Sequence, residues 1–282
     1  MSFRNKIEEA KQLLKINSHK IHTEKWQGVD ISRHAAMATY ELLNYFLTCQ
    51  VITENRLLLA EDIQPNLPWA NDHFKERVCG QPLNPGKEWA NWPWSQSANK
   101  FRDEQGQFNH NYMERYWPKY AGLTDQGELQ GTWADPSNEY FNPDAKPNRG
   151  IRFQNYGDLN DVINLLNSQP LTRQAYLPIF FPEDTGCING GRLPCSLGYH
   201  FIVRDDKLHI TYYLRSCDFV RHFRDDIYLT VLLQLWVLDQ LRLMNNSYWA
   251  KIKPGFFTMH VVSLHLFVND YISLFGSPKE GL

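Results

Sequence analysis

The stretch that decides the fold is residues 193–226, which read LPCSLGYHFIVRDDKLHITYYLRSCDFVRHFRDD. Pro194-Cys195 opens one strand-like segment and the turn at 204–207 leads into a second, so the pattern predicts a β-hairpin. The second strand ends in Arg-Ser-Cys-Asp (215–218), at the end of the hairpin where Cys195 lies. A thiolate nucleophile is favoured by nearby positive charge, and Arg215 supplies a permanent cation. The hairpin therefore predicts a reactive cysteine, with a buried structural cysteine as the alternative.

Composition limits the class of protein and of ligand. The 282 residues are 43% hydrophobic and 14% aromatic, which is enough for a substantial core, and we expect one domain over residues 1–282. The formal charge of −2 provides no basic field for nucleic acid, so we expect a small ligand whose phosphate is bound by a few arginines. We see no apolar run of about 18 residues and no signal peptide, so a soluble cytoplasmic protein without membrane association is expected.

The five cysteines are an odd number and include no CxxC pair and no histidine cluster. This pattern argues against a disulfide framework and against a zinc site, so we expect no metal. A free thiol suits a reducing cytoplasm.

Hydrophobic periodicity predicts the remaining elements. Helical spacing predicts helices at 4–15, 67–79 and 158–168, the last with Asp158 as its N-cap. Residues 39–52 and 257–267 predict strands, and the almost wholly apolar run 227–243 predicts a central helix. Residues 118–150 predict a loop or insertion. Together these elements imply an α+β domain in which helices cover a large mixed sheet.

The hairpin resembles the thymidylate synthase superfamily. Arg215-Ser216-Cys217-Asp218 follows Cys195 by twenty residues, and Asp226 stands eleven residues beyond Arg215. The segment 223–226 reads Phe-Arg-Asp-Asp and is similar to the Phe-Arg-x-Asp of phage deoxycytidylate 5-hydroxymethylases, whereas methylating members carry asparagine at the last position. The resemblance spans about residues 67–275. It implies the thymidylate synthase fold with the two cysteine-side strands central, and a homodimer formed by packing sheet on sheet.

The resemblance also implies a catalytic set. Cys195 would attack C6 of a pyrimidine nucleoside monophosphate, and Asp226 would recognise the base. The family places a catalytic glutamate on a helix like that at 67–79, where Glu76 is the available carboxylate. An exposed helical glutamate is the alternative for Glu76.

The substrate contacts that the resemblance implies are spread along the chain. Arg173 would cross the dimer interface to the partner's phosphate, and Arg33 resembles by position another phosphate ligand, with a solvated surface arginine as the alternative. The remaining contacts would be Arg215 and Ser216 to the phosphate, Tyr112 beside the nucleophile, and His265 to the sugar 3′-hydroxyl.

The chain departs from the family pattern at two of these positions. Gln174 stands where a second phosphate-binding arginine is usual, and we expect Arg152, Arg192 or Arg221 to compensate. Phe267 stands where the family has a tyrosine, which removes one hydrogen-bond donor near the sugar.

The implied co-substrate is 5,10-methylenetetrahydrofolate. Asp218 would accept a hydrogen bond from the pterin. Trp89 and Trp92 belong to a run of three tryptophans in six residues, and flat rings at a pocket mouth suit a pterin or p-aminobenzoyl group. Simple packing is the alternative for this cluster.

The sequence therefore predicts folate-dependent C5 hydroxymethylation of dCMP through a covalent adduct between Cys195 and C6. Three alternatives stay open: a CMP hydroxymethylase, a synthase acting on dUMP, and a non-catalytic nucleotide-binding or structural homologue.

Overall fold

The computed structural model describes residues 2–26, 29–34, 37–84, 86, 107–108, 111–118, 157–187, 192–244 and 246–277. Two short strands, β2 (Lys25–Trp26) and β3 (Val29–Asp30), form a separate ribbon. The main sheet consists of β1 (His19–Ile21), β4 (Thr39–Gln50), β5 (Tyr176–Pro178), β6 (Ser196–Arg204), β7 (Lys207–Asp218) and β8 (Lys253–Phe267). These six strands lie in the order β1-β4-β8-β7-β6-β5.

Two helices, α3 (Trp69–Arg77) and α6 (Phe223–Met244), pack against each other. The other helices of the described residues are α1 (Phe3–Asn17), α2 (Arg56–Ile63), α4 (Tyr112–Tyr116), α5 (Leu159–Ser168), α7 (Asn246–Trp249) and α8 (Val268–Phe275), with a 3-10 segment at Pro182–Cys187.

The hairpin predicted from the sequence is formed by β6 and β7. Asp205 and Asp206 both have positive φ, 52° and 53°, as a two-residue hairpin turn requires, and Arg204 pairs with Lys207. β7 then pairs in parallel with β8, while the other neighbouring strands of the sheet are antiparallel. The expectation that both hairpin strands are central holds for β7 alone. Among the strands of the described residues, β6 is second from the edge, with the short β5 outside it.

The central helix α6 packs against the core face of the sheet. Leu233, Val237 and Leu238 are fully buried, and the Gln234 side chain donates to the Leu208 carbonyl of β7 at 2.6 Å. By length and composition α6 could cross a membrane, although the sequence shows no apolar run of about 18 residues by eye. In the structure 67% of its most apolar stretch is buried in the protein. It therefore has the surroundings of a core helix.

Capping explains where several helices begin. The Asp158 side chain accepts from the backbone N–H of Asp161, and the Asp161 side chain accepts from the backbone N–H of Asp158. The helix α5 therefore begins with the predicted cap. By contrast, α3 begins at Trp69, two residues after the predicted 67, and Pro68 gives it no side-chain cap. β8 also begins four residues before the predicted 257, at Lys253.

The opposite face of the sheet carries exposed aromatic side chains. Phe46 is 61% exposed and stacks on His260 at 4.2 Å between ring centroids, and Tyr213 meets His260 edge-on. Phe256 is 42% exposed and stacks on His209. We call these five residues the open sheet face. Its apolar area is available for contact with another protein surface.

Candidate active site

A cavity of about 530 Å³ lies where four strands of the sheet begin or end. The parallel strands β7 and β8 end there, and their antiparallel neighbours β4 and β6 begin there. The sheet face that packs on α6 continues into the cavity wall, where its side chains become polar. The predicted site residues that line the cavity are Tyr112, Cys195, Arg215, Ser216, Asp218, Asp226 and His265.

Cys195 immediately precedes β6, and two donors from the end of β7 point at its sulfur. The Ser216 hydroxyl lies 3.5 Å from Sγ, and Nη2 of Arg215 lies 4.0 Å from it. The Arg215 guanidinium also donates to the carbonyl oxygens of Leu193 and Pro194, at 3.0 and 2.9 Å, which fixes the segment that carries the cysteine. The thiol is only partly buried, so a substrate in the cavity can reach it.

Asp225 and Asp226 stand in the first turn of α6 and face different groups. Asp225 accepts from the backbone and side-chain nitrogens of Asn66, both at 2.7 Å. Asp226 accepts from the Cys217 thiol at 3.5 Å. Burial raises the pKa of the Asp226 carboxyl to about 7, against the opposing effects of the Arg77 charge and of hydrogen bonds from Cys217 and Tyr212. Asp226 therefore exists in both protonation states near neutral pH.

Asp218, at the end of β7, is tied to a neighbouring ion pair. Its Oδ1 accepts from the backbone of Val220 and Arg221, and its Oδ2 accepts from the Arg221 guanidinium at 2.9 Å. Asp270 binds the same guanidinium at 2.6 Å. Arg221 therefore compensates two carboxylates, and this corrects the expectation that it supplements the phosphate site.

The α3 helix contributes a row of cavity-lining side chains that the sequence reasoning missed: Trp69, His73 and Arg77. The Arg77 side chain donates from Nε to Nε2 of His73 at 2.9 Å and lies over the Tyr112 ring at 4.6 Å. Burial, reinforced by the Arg77 charge, holds the pKa of His73 well below its usual value, so the imidazole is neutral. The available signal was the spacing of His73 and Arg77, four and eight residues after Trp69, which puts all three side chains on one face of the helix.

Glu76 lies on the same helix but is not among the residues that line this cavity. Its carboxylate faces Gly86, where even an added methyl group would be within 2.2 Å of it, and it lies 3.6 Å from Nδ1 of His73. His73 and Arg77, three residues before Glu76 and one after it, reach the cavity instead. The described geometry does not bring Glu76 to Cys195 and Asp226.

Two cations lie near Cys195, and a third lines the same cavity. Arg215 donates toward the sulfur, Arg192 interacts electrostatically with the cysteine, and Lys25 is among the lining residues. Burial lowers the pKa of Arg192, while the neighbouring Cys195 opposes this shift. Arg33 and Arg173 are exposed and do not line the cavity of their own chain. The described residues do not include Trp89, Trp92 or Arg152. They also leave out most of the loop predicted at 118–150.

A last wall of the cavity comes from β4 and β8. His265 lies on it as predicted, and Phe267 lies beside it. Glu41 of β4, which the sequence analysis did not single out, is the register partner of His265 and lines the same cavity. The Ser263 hydroxyl donates to Oε1 of Glu41. The signal was the single charged residue in the strand segment TYELLNYFL (39–47).

A family model described as thymidylate synthase matches residues 84–273, which is 190 of the 282 residues. The chain belongs to the thymidylate synthase family. The matched stretch contains Cys195 and the other predicted residues that line the cavity, whereas Arg33 and Glu76 precede it.

Two further comparisons show proteins to which the chain is similar in sequence or in fold. A putative thymidylate synthase of Methanosarcina barkeri is 27% identical over 126 residues, which cover 43% of this chain and 53% of that protein. The chain thus matches about half the length of this curated relative. The thermostable thymidylate synthase A of Bacillus subtilis has a similar structure, with a TM-score of 0.61 at 11% identity, covering 97% of this chain and 83% of that one. The thymidylate synthase fold predicted from the hairpin is therefore confirmed.

Proposed function

We propose that the protein transfers a one-carbon unit from 5,10-methylenetetrahydrofolate to C5 of a cytidine monophosphate and forms the 5-hydroxymethyl product. The observation that carries the proposal is the presence of Cys195 and Asp226 in one cavity, with Arg215 and Arg192 beside the cysteine. This set offers a nucleophile, a group for the base edge and cations for a phosphate. Membership of the thymidylate synthase family supports this reaction class.

Cys195 acts as the nucleophile in this proposal. Its thiolate adds to C6 of the pyrimidine, and the electron pair of the C5–C6 double bond moves into the ring, which makes C5 nucleophilic. After C5 has gained its substituent and lost its proton, the thiolate leaves from C6 and the double bond re-forms. The Arg215 guanidinium, 4.0 Å from the sulfur, stabilises the negative charge of the thiolate.

Asp226 recognises cytosine in this proposal. Cytosine presents a 4-amino donor and an unprotonated N3, so it needs an acceptor and a proton source from the protein. A carboxyl group with a pKa of about 7 supplies either, because it is partly protonated near neutral pH. As electron density rises on the ring during thiolate attack, the protonated form can donate to N3.

The cavity also has room and suitable groups for a folate. Trp69, Phe180 and Phe267 present apolar surfaces to it, and Oδ2 of Asp218 retains acceptor capacity beyond its bond to Arg221. Methylenetetrahydrofolate, when bound, would supply a carbon at the oxidation level of formaldehyde. With tetrahydrofolate as the leaving group, water at that carbon would give hydroxymethyl, whereas a hydride taken from the tetrahydrofolate would give methyl and dihydrofolate. The choice of the hydroxymethyl product in our proposal rests on the resemblance of residues 223–226 to the Phe-Arg-x-Asp of the phage hydroxymethylases.

We also propose that the protein acts as a homodimer through the open sheet face. Its exposed aromatic residues give an apolar surface on the side away from α6. The Arg173 carbonyl accepts from His200, which lies on β6 beside the exposed Tyr176. Arg173 is exposed and does not line the cavity of its own chain, and in our proposal its side chain reaches the phosphate in the partner's site.

The reaction is tested by incubating dCMP, CMP and dUMP separately with methylenetetrahydrofolate and the protein, followed by mass spectrometry of the nucleotide. We expect a mass gain of one hydroxymethyl group on a cytidylate, with no dihydrofolate absorbance. Methylated dUMP together with dihydrofolate would instead identify a thymidylate synthase activity. Absence of C5 hydrogen exchange with all three nucleotides would contradict any catalytic role.

The covalent step is tested with Cys195→Ser, and Cys79→Ser serves as the control because Cys79 is exposed and does not line the cavity. We expect Cys195→Ser to lose product formation and C5 exchange while it still binds nucleotide. Cys79→Ser should retain both reactions. Substantial activity in Cys195→Ser would overturn the mechanism.

A further inference from the structure

Glu41 stands out because it places a carboxylate in the cavity wall and is the one charged residue of β4. β4 and β8 are antiparallel, and Glu41 is the direct register partner of His265. Side chains of such partners lie on the same sheet face, with their Cβ atoms about 5 Å apart. Both residues line the cavity, so the carboxylate and the imidazole face the same ligand space.

The Glu41 carboxylate accepts a hydrogen bond at Oε1 from the Ser263 hydroxyl. Within the described ranges no basic side chain forms an ion pair with Glu41, whereas Asp218 is compensated by Arg221. An ionised carboxylate in a cavity wall is stabilised by further hydrogen-bond donors. The lone pairs of Oε2 are therefore suited to a ligand that brings hydroxyl or amino hydrogens.

His265 supplies a second acceptor next to this carboxylate. Its Nδ1 lies 3.4 Å from the Ser263 carbonyl oxygen, an arrangement in which Nδ1 carries the proton and Nε2 remains an acceptor. Ser263 thus orients both groups, one through its hydroxyl and the other through its carbonyl. The vicinal 2′- and 3′-hydroxyls of a ribose present two donors that match two adjacent acceptors, and acidic side chains commonly accept from ribose hydroxyls.

We propose that Glu41 and His265 together recognise the 2′,3′-diol of a ribonucleotide, so that the protein prefers CMP to dCMP. This inference rests on the proposed function for the class of nucleotide in the cavity. It makes Glu41 a specificity-determining residue, and it selects the ribonucleotide alternative over the deoxynucleotide predicted from the sequence.

The other groups of the cavity suit the phosphate and the base, so the wall formed by β4 and β8 is the part that remains for the sugar. The phosphate is drawn to Arg215 and Arg192 beside Cys195, and the negative charge of Glu41 repels it. Glu41 is on β4, two strands away from β7 and therefore about 10 Å from the end that carries Arg215. Asp226 occupies the base edge. Phe267, the neighbour of His265 on this wall, has no polar side-chain atom to share the sugar hydroxyls.

Isothermal titration of CMP and of dCMP, without folate, into the full-length protein tests the inference apart from turnover. For the wild type we expect CMP to bind about tenfold to a hundredfold more tightly than dCMP, as for a hydrogen bond to a charged group. Glu41→Ala should bring the two affinities within about twofold by weakening CMP alone, and Glu41→Gln should give an intermediate ratio because its amide oxygen still accepts. Glu61→Gln, an exposed carboxylate change on α2, should keep the wild-type ratio.

Several results would overturn the inference. These are equal binding of CMP and dCMP by the wild type, an unchanged ratio in both Glu41 variants, an equal loss of both nucleotides in Glu41→Ala and Glu41→Gln, and no binding of either nucleotide. A Glu41 effect confined to tetrahydrofolate affinity would assign the carboxylate to the folate instead. A CMP preference that depends on Glu41 in a protein that forms no hydroxymethylated product would refute the proposed reaction and leave the sugar recognition intact.

Discussion

At the scale of single residues, the adjacent acids at the start of α6 have different roles. Asp225 accepts hydrogen bonds from two nitrogens of Asn66, while Asp226 accepts one from the Cys217 thiol and lines the same cavity as Cys195. We therefore expect Asp226→Asn to lose at least about tenfold in the ratio of kcat/KM for cytidylate over dUMP. The physical reason is that an ionised carboxylate repels uracil O4, whereas an amide offers both a donor and an acceptor.

Asp225→Asn is the matched control for this change. It should leave the cytosine to uracil ratio close to that of the wild type, because the Asp225 oxygens are engaged with Asn66. Initial rates with each nucleotide at saturating methylenetetrahydrofolate give the ratio. If Asp226→Asn kept the wild-type ratio, the assignment of base recognition to Asp226 would be wrong.

The raised pKa of Asp226 also predicts how stability depends on pH. An unfolded aspartate has a pKa of about 3.9, whereas burial raises the folded value to about 7. Between these values the folded state holds more protons than the unfolded state, so the free energy of unfolding falls as pH rises. Asp226→Asn removes this penalty, and its gain in stability over the wild type should be larger at pH 8 than at pH 5.

Urea unfolding at both pH values, at one protein concentration, measures that difference. Asp72→Asn, on the surface side of α3 beside Lys75, is the control and should show no comparable increase between pH 5 and pH 8. An equal effect of Asp226→Asn at the two pH values would contradict a carboxyl that titrates near neutrality.

At the scale of elements, the pairing of β5 with β6 depends on the absence of a side chain at Gly198. A Cβ there would lie 2.2 Å from the Tyr176 hydroxyl and 2.7 Å from the Leu177 carbonyl oxygen. Because one of these atoms belongs to the backbone of the neighbouring strand, the strands must separate to accept it. Gly198→Ala should therefore lower the free energy of unfolding by about 1–3 kcal/mol.

The control for Gly198 is Gly157→Ala, where the added methyl group would meet Asp161 at an ordinary 3.5 Å. Denaturant unfolding of both variants compares the two sites. A Gly198→Ala protein as stable as Gly157→Ala would mean that β5 can shift without cost. Such a result would weaken the view that the pairing with β5 holds the start of β6, next to Cys195, in place.

At the scale of the whole molecule, the proposed dimer predicts complementation between inactive chains. If Arg173 binds the phosphate in the partner's site, a mixed dimer of Arg173→Ala and Cys195→Ser chains has one site with both defects and one with neither. An equal mixture should then recover up to about a quarter of wild-type activity, since C2 symmetry makes the two sites equivalent.

Activity of the mixture after joint refolding, with mixed dimers verified by mass spectrometry, measures this recovery. Arg215→Ala with Cys195→Ser is the comparison, because Arg215 lies 4.0 Å from Cys195 of its own chain, so every site of a mixed dimer keeps one of the two defects and no activity should return. Mixed dimers without activity would put Arg173 outside the partner's site.

Much of the architecture follows from local pattern. The alternation on both sides of Asp205-Asp206 predicts the β6–β7 hairpin, and the continuous apolar run predicts α6, because hairpin turns and buried helices are specified by nearby residues. The fixed spacing from Cys195 to Arg215 and Asp226 likewise predicts three side chains of one cavity, since a hairpin and the short link to α6 leave them few other positions.

Tertiary structure decided the rest, because it depends on contacts between residues far apart in the sequence. Glu41 and His265 are 224 residues apart yet are register partners, and only the pairing of β4 with β8 brings them together. The phase of α3 turns His73 and Arg77 toward the cavity and Glu76 toward Gly86. The sequence determined the fold and the pairing of Cys195 with its arginine, whereas long-range strand pairing and helix rotation determined which other charged groups line the cavity.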